Sequence, residues 1–396
     1  EKRHPSRWNV DQATLLHPVK LTHRSGHAHV LNSLALKLLN ISSETPDPPG
    51  GLIDRDCQTG EPTGLLYAMG NFLARRVPPL EHRELERGIK LANQELLSHG
   101  ITSLQDASPR NGIDRWRLFT QWKKEGLLQP RIGMMLGIEA LDGLQKQGFS
   151  GSMSASQLRL GGVKILVHET TGQLSPSQED LNQMVLKIHQ SGLQAALHAV
   201  EESTIEASCS AVEFALHRSP RNDHRHRIEH CSVCPPSLAK RLAALGIMVV
   251  TQPSFIYYNG DRYLRAVPDG QRSYLYPLAT LLKNGVQVAS SSDSPIVPIN
   301  PLIGVYAASS RMAETGEVLS AEEKITALEA LRMGTVYAAR SNFEEKMKGS
   351  IIPGQFADLV VLSEDPTKVP TLEIRDIKVE MTILDGEVVW NKETSR

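Results

Sequence analysis

From about residue 85 the chain alternates short apolar runs with amphipathic stretches, and no other feature restricts its fold as strongly. The runs are "GITSLQDA" (100–107), "RIGMMLGI" (131–138), "GGVKILVHE" (161–169), "GLQAALHAV" (192–200), "HRIEHCS" (226–232), "GIMVVTQPS" (246–254) and "GVQVASSSDSP" (285–295). Between them lie segments of helical periodicity such as "SQEDLNQMVLKIHQSG" (177–192) and "PPSLAKRLAALG" (235–246), the second closed by a glycine where helices commonly stop. A strand followed by a helix, repeated at a spacing of roughly 30 residues, builds a parallel sheet, either open and doubly wound or closed into an eight-stranded barrel.

The polar ends of the runs separate these two folds. Nearly every run finishes in a chemically useful side chain: Asp106, His168, His198, His230, Gln252 and Asp293. A doubly wound sheet gathers its site at one switch point, whereas a barrel collects residues from the ends of many strands. The expected fold class is therefore α/β, a TIM-type (β/α)8 barrel over residues 85–345. Residues 346–396, including "GSIIPGQFADLVVLSEDP" and "IKVEMTILDGEVVW", change to a period of two around the Asp385-Gly386 turn and read as a small antiparallel β-domain remnant. Residues 1–84, with the Pro- and Gly-rich stretch "TPDPPGGLIDRDCQTGEPTG", read as an insertion and loop region at the barrel mouth.

Composition narrows the partners. The chain has 396 residues, 40% of them hydrophobic, enough for one large α/β domain and an accessory region. Lys and Arg total 43 against 44 Asp and Glu, a balance that gives no reason to expect nucleic acid or an anionic membrane as partner. No run of about 18 apolar residues and no leading hydrophobic segment is present, and four cysteines are too few for a disulfide framework, so the expected setting is cytoplasmic.

At the strand ends, His198, His230 and Asp293 bring two imidazoles and a carboxylate toward one mouth, with Lys164 inside the strand before His198. That donor set suits a divalent metal, most plausibly zinc, which lowers the pKa of water toward neutrality. The chain here resembles the amidohydrolase superfamily, in the branch that includes the N-substituted formamide deformylases. The resemblance is carried in order by "RSGHAHVLNSLAL" (24–36), "TPDPPGG" (45–51), "GEPTGLL" (60–66), "GITSLQDA", "GGVKI", "HRIEH", "TQPSF", "SSDSP" and "GSIIPGQFADLVVL" (349–362). It implies a barrel with His198 and His230 as metal ligands, Asp293 as ligand and general base, and Lys164 as a carboxylated bridge or else a strand lysine paired with a carboxylate.

One expected element has no match. The family carries a His-x-His pair at the end of its first barrel strand, after a Pro-Gly-Phe/Leu-Ile-Asp type run, and no such run occurs here. His27 and His29 have the spacing, but "GHAHVLNS" matches a later family segment beyond the first strand, so they are not that pair. The family's N-terminal strands of the small β-domain are also unmatched. The expectation is a chain lacking the first strand, hence seven strands and at most one firmly held metal.

His27, Asn32 and His168 are expected to line the substrate pocket, His168 being alternatively half of a local salt-bridged pair with Glu169. Cys231 and Cys234 have redox-motif spacing without the supporting context, and "HRSPRNDHRHR" (217–227) reads as a solvated loop holding His224 and His226. The expected function is metal-dependent hydrolysis of a C–N bond in a small amide or cyclic amide, in a chain that forms a homo-oligomer or stands alone. The rival reading is an amidohydrolase-like chain that binds or does nothing, lacking half of its metal site.

Overall fold

The computed structural model describes residues 3–23, 28–48, 50–78, 80–146, 154–155, 157–170 and 172–394, and the chain divides into two compact units, 1–85 and 86–396. The first unit holds more regular structure than its Pro/Gly content suggests. Strands β1 (Lys20–Thr22), β2 (Ala28–Leu31), β3 (Leu52–Arg55) and β4 (Pro62–Tyr67) form an antiparallel sheet in the order β1-β2-β4-β3. The turn between β3 and β4 is made by Asp56, whose carboxylate accepts the backbone N–H groups of Gln58 (3.1 Å) and Thr59 (2.9 Å). On β4 alternate residues are buried, and Leu66 packs with Leu31, Leu36, Ile53, Met69 and Leu73 in a small core. The segment read as a loop is thus a hairpin, because its glycines and prolines serve the turn and the close approaches rather than breaking the strands.

In the second unit all seven apolar runs are strands: β5 (Ser103–Asp106), β6 (Arg131–Gly137), β7 (Leu158–Leu166), β8 (Ala195–Ala199), β9 (Arg227–His230), β10 (Met248–Thr251) and β11 (Val288–Ser290). Each pairs in parallel with its neighbour in sequence, from β5 at one edge to β11 at the other, with a short antiparallel piece at 154–155 on β7. Strict sequential order with no reversal is barrel order, since a doubly wound sheet reverses at its switch point. The sheet curls as a seven-stranded half-barrel. Helices such as Gln178–Gln190, Glu202–Arg218 and Pro236–Ala244 follow the strands and bury apolar faces that include Leu181, Val185, Ile205, Val212, Leu238 and Leu242.

The C-terminal residues form the three antiparallel strands β12 (Leu359–Leu362), β13 (Val379–Leu384) and β14 (Glu387–Asn391). Asp385 and Gly386 both have positive φ (53° and 85°), as the two-residue turn between β13 and β14 demands. This sheet clusters with the barrel rather than apart from it. Arg131, 3% exposed at the start of β6, is bound by Asp358 at 2.7 Å and by Asp385, and its guanidinium lies over the Phe356 ring at 3.7 Å.

Candidate active site

The parallel register sets the site. Lys164, Ala196 and Arg227 share one row across β7, β8 and β9, and Leu166, His198 and Glu229 share the row two residues further on. Residues two apart on a strand face the same way, so Lys164, His198, Arg227 and Glu229 belong to one face. His230 ends β9 with φ +74°, and Cys231 follows with φ +52°. Two successive left-handed residues, neither of them glycine, turn the chain sharply at the strand end; such conformations persist only where the surroundings enforce them.

Those surroundings are specific. His230 Nδ1 stands 2.8 Å from Gln252 Oε1, while Gln252 Nε2 donates to Ser291 Oγ at 2.8 Å. With the Gln252 oxygen facing the ring, His230 carries its proton on Nδ1 and leaves the Nε2 lone pair free; the Ser291 hydroxyl, donor or acceptor as needed, completes the chain. Thr251 Oγ1 donates to the His230 carbonyl at 2.8 Å. The His198 ring packs edge-on against His230, with centroids 4.4 Å apart and planes at 74°. Burial, with the nearby positive charge of His230, Lys164 and His168, pushes the His198 pKa from 6.5 down to about 3; burial also lowers that of His230. Both imidazoles are neutral near pH 7, the form that ligates metals.

Lys164 is 5% exposed, and burial pulls its ammonium pKa down against the opposing charges of Glu229 and Asp293. Burial would raise the Glu229 carboxyl, but Arg227, Lys164 and His230 outweigh it and hold the group ionised. Arg227, 1% exposed, donates from Nε to Glu229 at 2.6 Å, from Nη2 to Gln105, and from Nη1 to the Ser341 carbonyl at 3.2 Å. Asp293 follows β11 with φ +54° at an accessible rim position, where neighbouring protein still removes enough water to raise its carboxyl pKa.

The structure therefore gathers His198, His230, Lys164 and Asp293 at one end of the half-barrel, Lys164 and Asp293 sensing each other electrostatically. Among the described residues, no group of three or more His, Cys, Asp or Glu is arranged to hold a metal ion. The donor chemistry fits a divalent ion in part: two neutral imidazoles, one hydrogen-bonded to Gln252 through Nδ1, with a carboxylate on the same rim. His168 is exposed, in a hairpin of residues 168–170 and 173–175, close enough to depress His198. Glu169 is likewise exposed. His27 lies outside the described residues.

Asn32 belongs to the first unit and is fully buried, its side chain spent on structure. Its oxygen accepts from Val19 N at 2.9 Å and Ala35 N at 3.0 Å, capping the helix Ser33–Leu38, and its nitrogen donates to the His17 carbonyl at 2.9 Å. With both ends of its amide engaged, it has nothing to offer a substrate.

The region expected as a solvated loop divides: His217, Arg218, Pro220, Asn222 and Asp223 are exposed, whereas the end that leads into β9 is buried. His224 and His226 are 3% and 0% exposed. His226 Nδ1 accepts from the Ala195 N–H (2.9 Å), so its Nε2 donates to His189 Nδ1 (2.8 Å), and His189 Nε2 in turn donates to the Ser219 carbonyl (2.5 Å). His224 Nδ1 accepts from His226 N at 2.9 Å, and its Nε2 donates to the Leu245 carbonyl at 2.9 Å. A polar run can be interior when every nitrogen finds a partner, and no local sequence pattern announces those partners. Arg227 and Glu229 were missed as site-supporting residues for the same reason, and Gln252 was singled out as a strand-end side chain without its partner His230. Their one signal was a polar residue at the end of, or inside, an apolar run. Cys231 and Cys234 are buried free thiols.

Comparison with known proteins gives the family and the fold. The chain is 28% identical over 420 residues to the N-substituted formamide deformylase of Arthrobacter pascens, spanning 99% of this chain and 77% of that protein. It is 27% identical over 397 residues to YtcJ of Bacillus subtilis (strain 168), spanning 95% and 74%. Among solved structures, an uncharacterized metal-dependent hydrolase from Pyrococcus horikoshii OT3 superposes with a TM-score of 0.76 at 24% identity, over 93% of this chain and 76% of that one. The amidohydrolase family profile matches residues 1–390, and the chain accordingly belongs to the amidohydrolase family of hydrolases.

Proposed function

We propose that the protein hydrolyses a C–N bond of a small amide or cyclic amide, with a divalent metal, zinc by the donor set, held by His198 and His230. The observation that carries this reading is the pair of neutral, edge-packed imidazoles, with a carboxylate of raised pKa on the same rim. The name of the Arthrobacter relative supports the C–N bond, and that of the Pyrococcus structure supports the metal. When bound, the ion supplies Lewis-acid polarisation of the carbonyl and activation of water. Asp293 takes the proton of the attacking water and returns it to the departing amine, a role suited to a carboxylate whose basicity exceeds that of a free aspartate. Lys164, with its charge countered by Glu229, holds positive charge near the developing oxyanion, or becomes a carboxylated ligand once an ion is present.

A second reading, a chain that binds metal weakly and turns nothing over, is favoured by the two-imidazole donor set, because two protein ligands hold zinc poorly. Metal analysis and turnover on a panel of amides decide between the readings. The expected result is one tightly bound metal per chain, lost in His230→Ala and kept in Cys234→Ala, with turnover that depends on it. Equal loss in both variants would move the site to the cysteines; metal without turnover would favour the second reading.

A further inference from the structure

Arg311 is fully buried, yet its guanidinium bonds to main-chain carbonyls rather than to a carboxylate. Nε donates to Leu319 O (3.0 Å), Nη1 to Tyr276 O (2.8 Å) and Nη2 to Leu275 O (2.8 Å). It sits just beyond the helix Pro301–Ser310 in a left-handed conformation, φ +60°. Glu323 and Glu322 act on the guanidinium through space, but neither forms a direct ion pair with it, so the buried charge is held by carbonyls, and what it gains beyond that field is positional. The gain visible here is geometric: the planar fork grips two consecutive carbonyls and dictates the path of the chain between them.

That path is strained. Tyr276 has φ +46°, a conformation a bulky side chain adopts only when forced. Its N–H donates to Ser232 O at 2.7 Å, Cys234 N donates to Tyr274 O at 3.0 Å, and Val233 bridges Leu275. The gripped turn is therefore laid against residues 232–234, which begin two positions beyond His230. Tyr276 is 3% exposed, its ring packs against those of Phe255 and Tyr263, and it shares one hydrophobic cluster with Ile296 and Val297, just after Asp293. Its hydroxyl lies 3.2 Å from that of Tyr263. One turn is thus bonded to the segment that follows His230 and shares a core with the segment that follows Asp293.

We propose that Arg311 is a positioning residue: by clamping Leu275 and Tyr276 it fixes the segments that follow β9 and β11, and so sets where His230 and Asp293 stand. The proposal rests on the hydrolase reading only for its kinetic consequence. Arg311→Lys keeps the charge but replaces the fork with a single point donor. The test is backbone hydrogen exchange of the full chain, with Val185→Ala as a cavity variant that weakens the same unit elsewhere. Losing hydrogen bonds to a charged donor should make the amides of 232–234 and 274–276 exchange at least about tenfold faster in Arg311→Lys. The cavity variant, compared at equal global stability, should leave them as in the parent. Zinc alone, titrated into the metal-free protein, should bind more weakly in Arg311→Lys, and kcat should fall more than KM changes. Equal exchange at these amides in the two variants would overturn the proposal. Faster exchange with no turnover even in the parent would sustain it while defeating the hydrolase reading.

Discussion

In the proposed mechanism Asp293 makes both proton transfers, and its surroundings make an unambiguous experiment available. Replacing it with Asn removes a partly desolvated charge and keeps the shape, so the fold should hold within about 1 kcal/mol. Turnover should fall by at least about a hundredfold, the usual worth of a general base. Circular dichroism and amide hydrolysis on the same sample check both halves, and retained turnover would remove Asp293 from the mechanism. The pH dependence follows from the raised pKa. The base works as a carboxylate, so the rate is full above the raised pKa and falls as pH drops through it. The acid limb of kcat/KM in the parent should lie above the ordinary aspartate value of 3.8.

Strands and turns carry constraints of a different kind, visible in the hairpin β3–β4 of the first unit. Gly64 has φ +92°, and a Cβ at that position would lie 2.4 Å from the Leu31 carbonyl oxygen and 2.8 Å from Arg7 Cβ. Both backbone angle and space therefore exclude a side chain in the middle of β4, where β2 pairs alongside. Gly64→Ala should destabilise the first unit by more than about 2 kcal/mol, through strain and the forced separation of β2 from β4. Gly88→Ala provides the contrast, since nothing lies within 4 Å of its Cβ and it sits inside the helix His82–Ser98. That change should be neutral or stabilising. Limited proteolysis between residues 50 and 70 in each variant would show the difference, and equal protection would refute the account.

Across the whole chain the buried histidines couple folding to pH. Burial is the first cause lowering His198, His224, His226 and His230. For a base whose folded pKa is depressed, the unfolded chain takes up the proton first. Stability is thus fully present above the unfolded value of 6.5 and is lost as pH falls from there toward the folded value, about 3 for His198. Each such histidine contributes a slope of up to about 1.4 kcal/mol per pH unit. Urea unfolding at pH 7.5 and pH 5.5 should show a clearly lower midpoint at the acid pH. In His226→Gln, with one depressed group removed, the shift between the two pH values should shrink even though the variant is less stable at both. An unchanged shift would mean that these imidazoles do not govern acid stability.

What the amino-acid sequence determined by itself was periodic or locally coded. Seven apolar runs became seven parallel strands because the hydrophobic period and the flanking turn residues act over only a few positions, and Asp385-Gly386 made its turn for the same reason. That His198, His230 and Asp293 lie together was legible because strand ends in sequential order converge on one end of a curled sheet. Tertiary structure alone decided the roles that depend on distant partners. Gln252 orients His230 only because β10 lies beside β9, and Arg311 reaches Tyr276 across 35 residues of chain. His224 and His226 are interior because Ala195, His189 and Leu245 supply their hydrogen bonds. Asn32 became a helix cap rather than a pocket residue because its amide was already satisfied by its own fold. Hydrophobic period is written in the order of residues, whereas hydrogen-bond satisfaction exists only once the chain has brought its strands together.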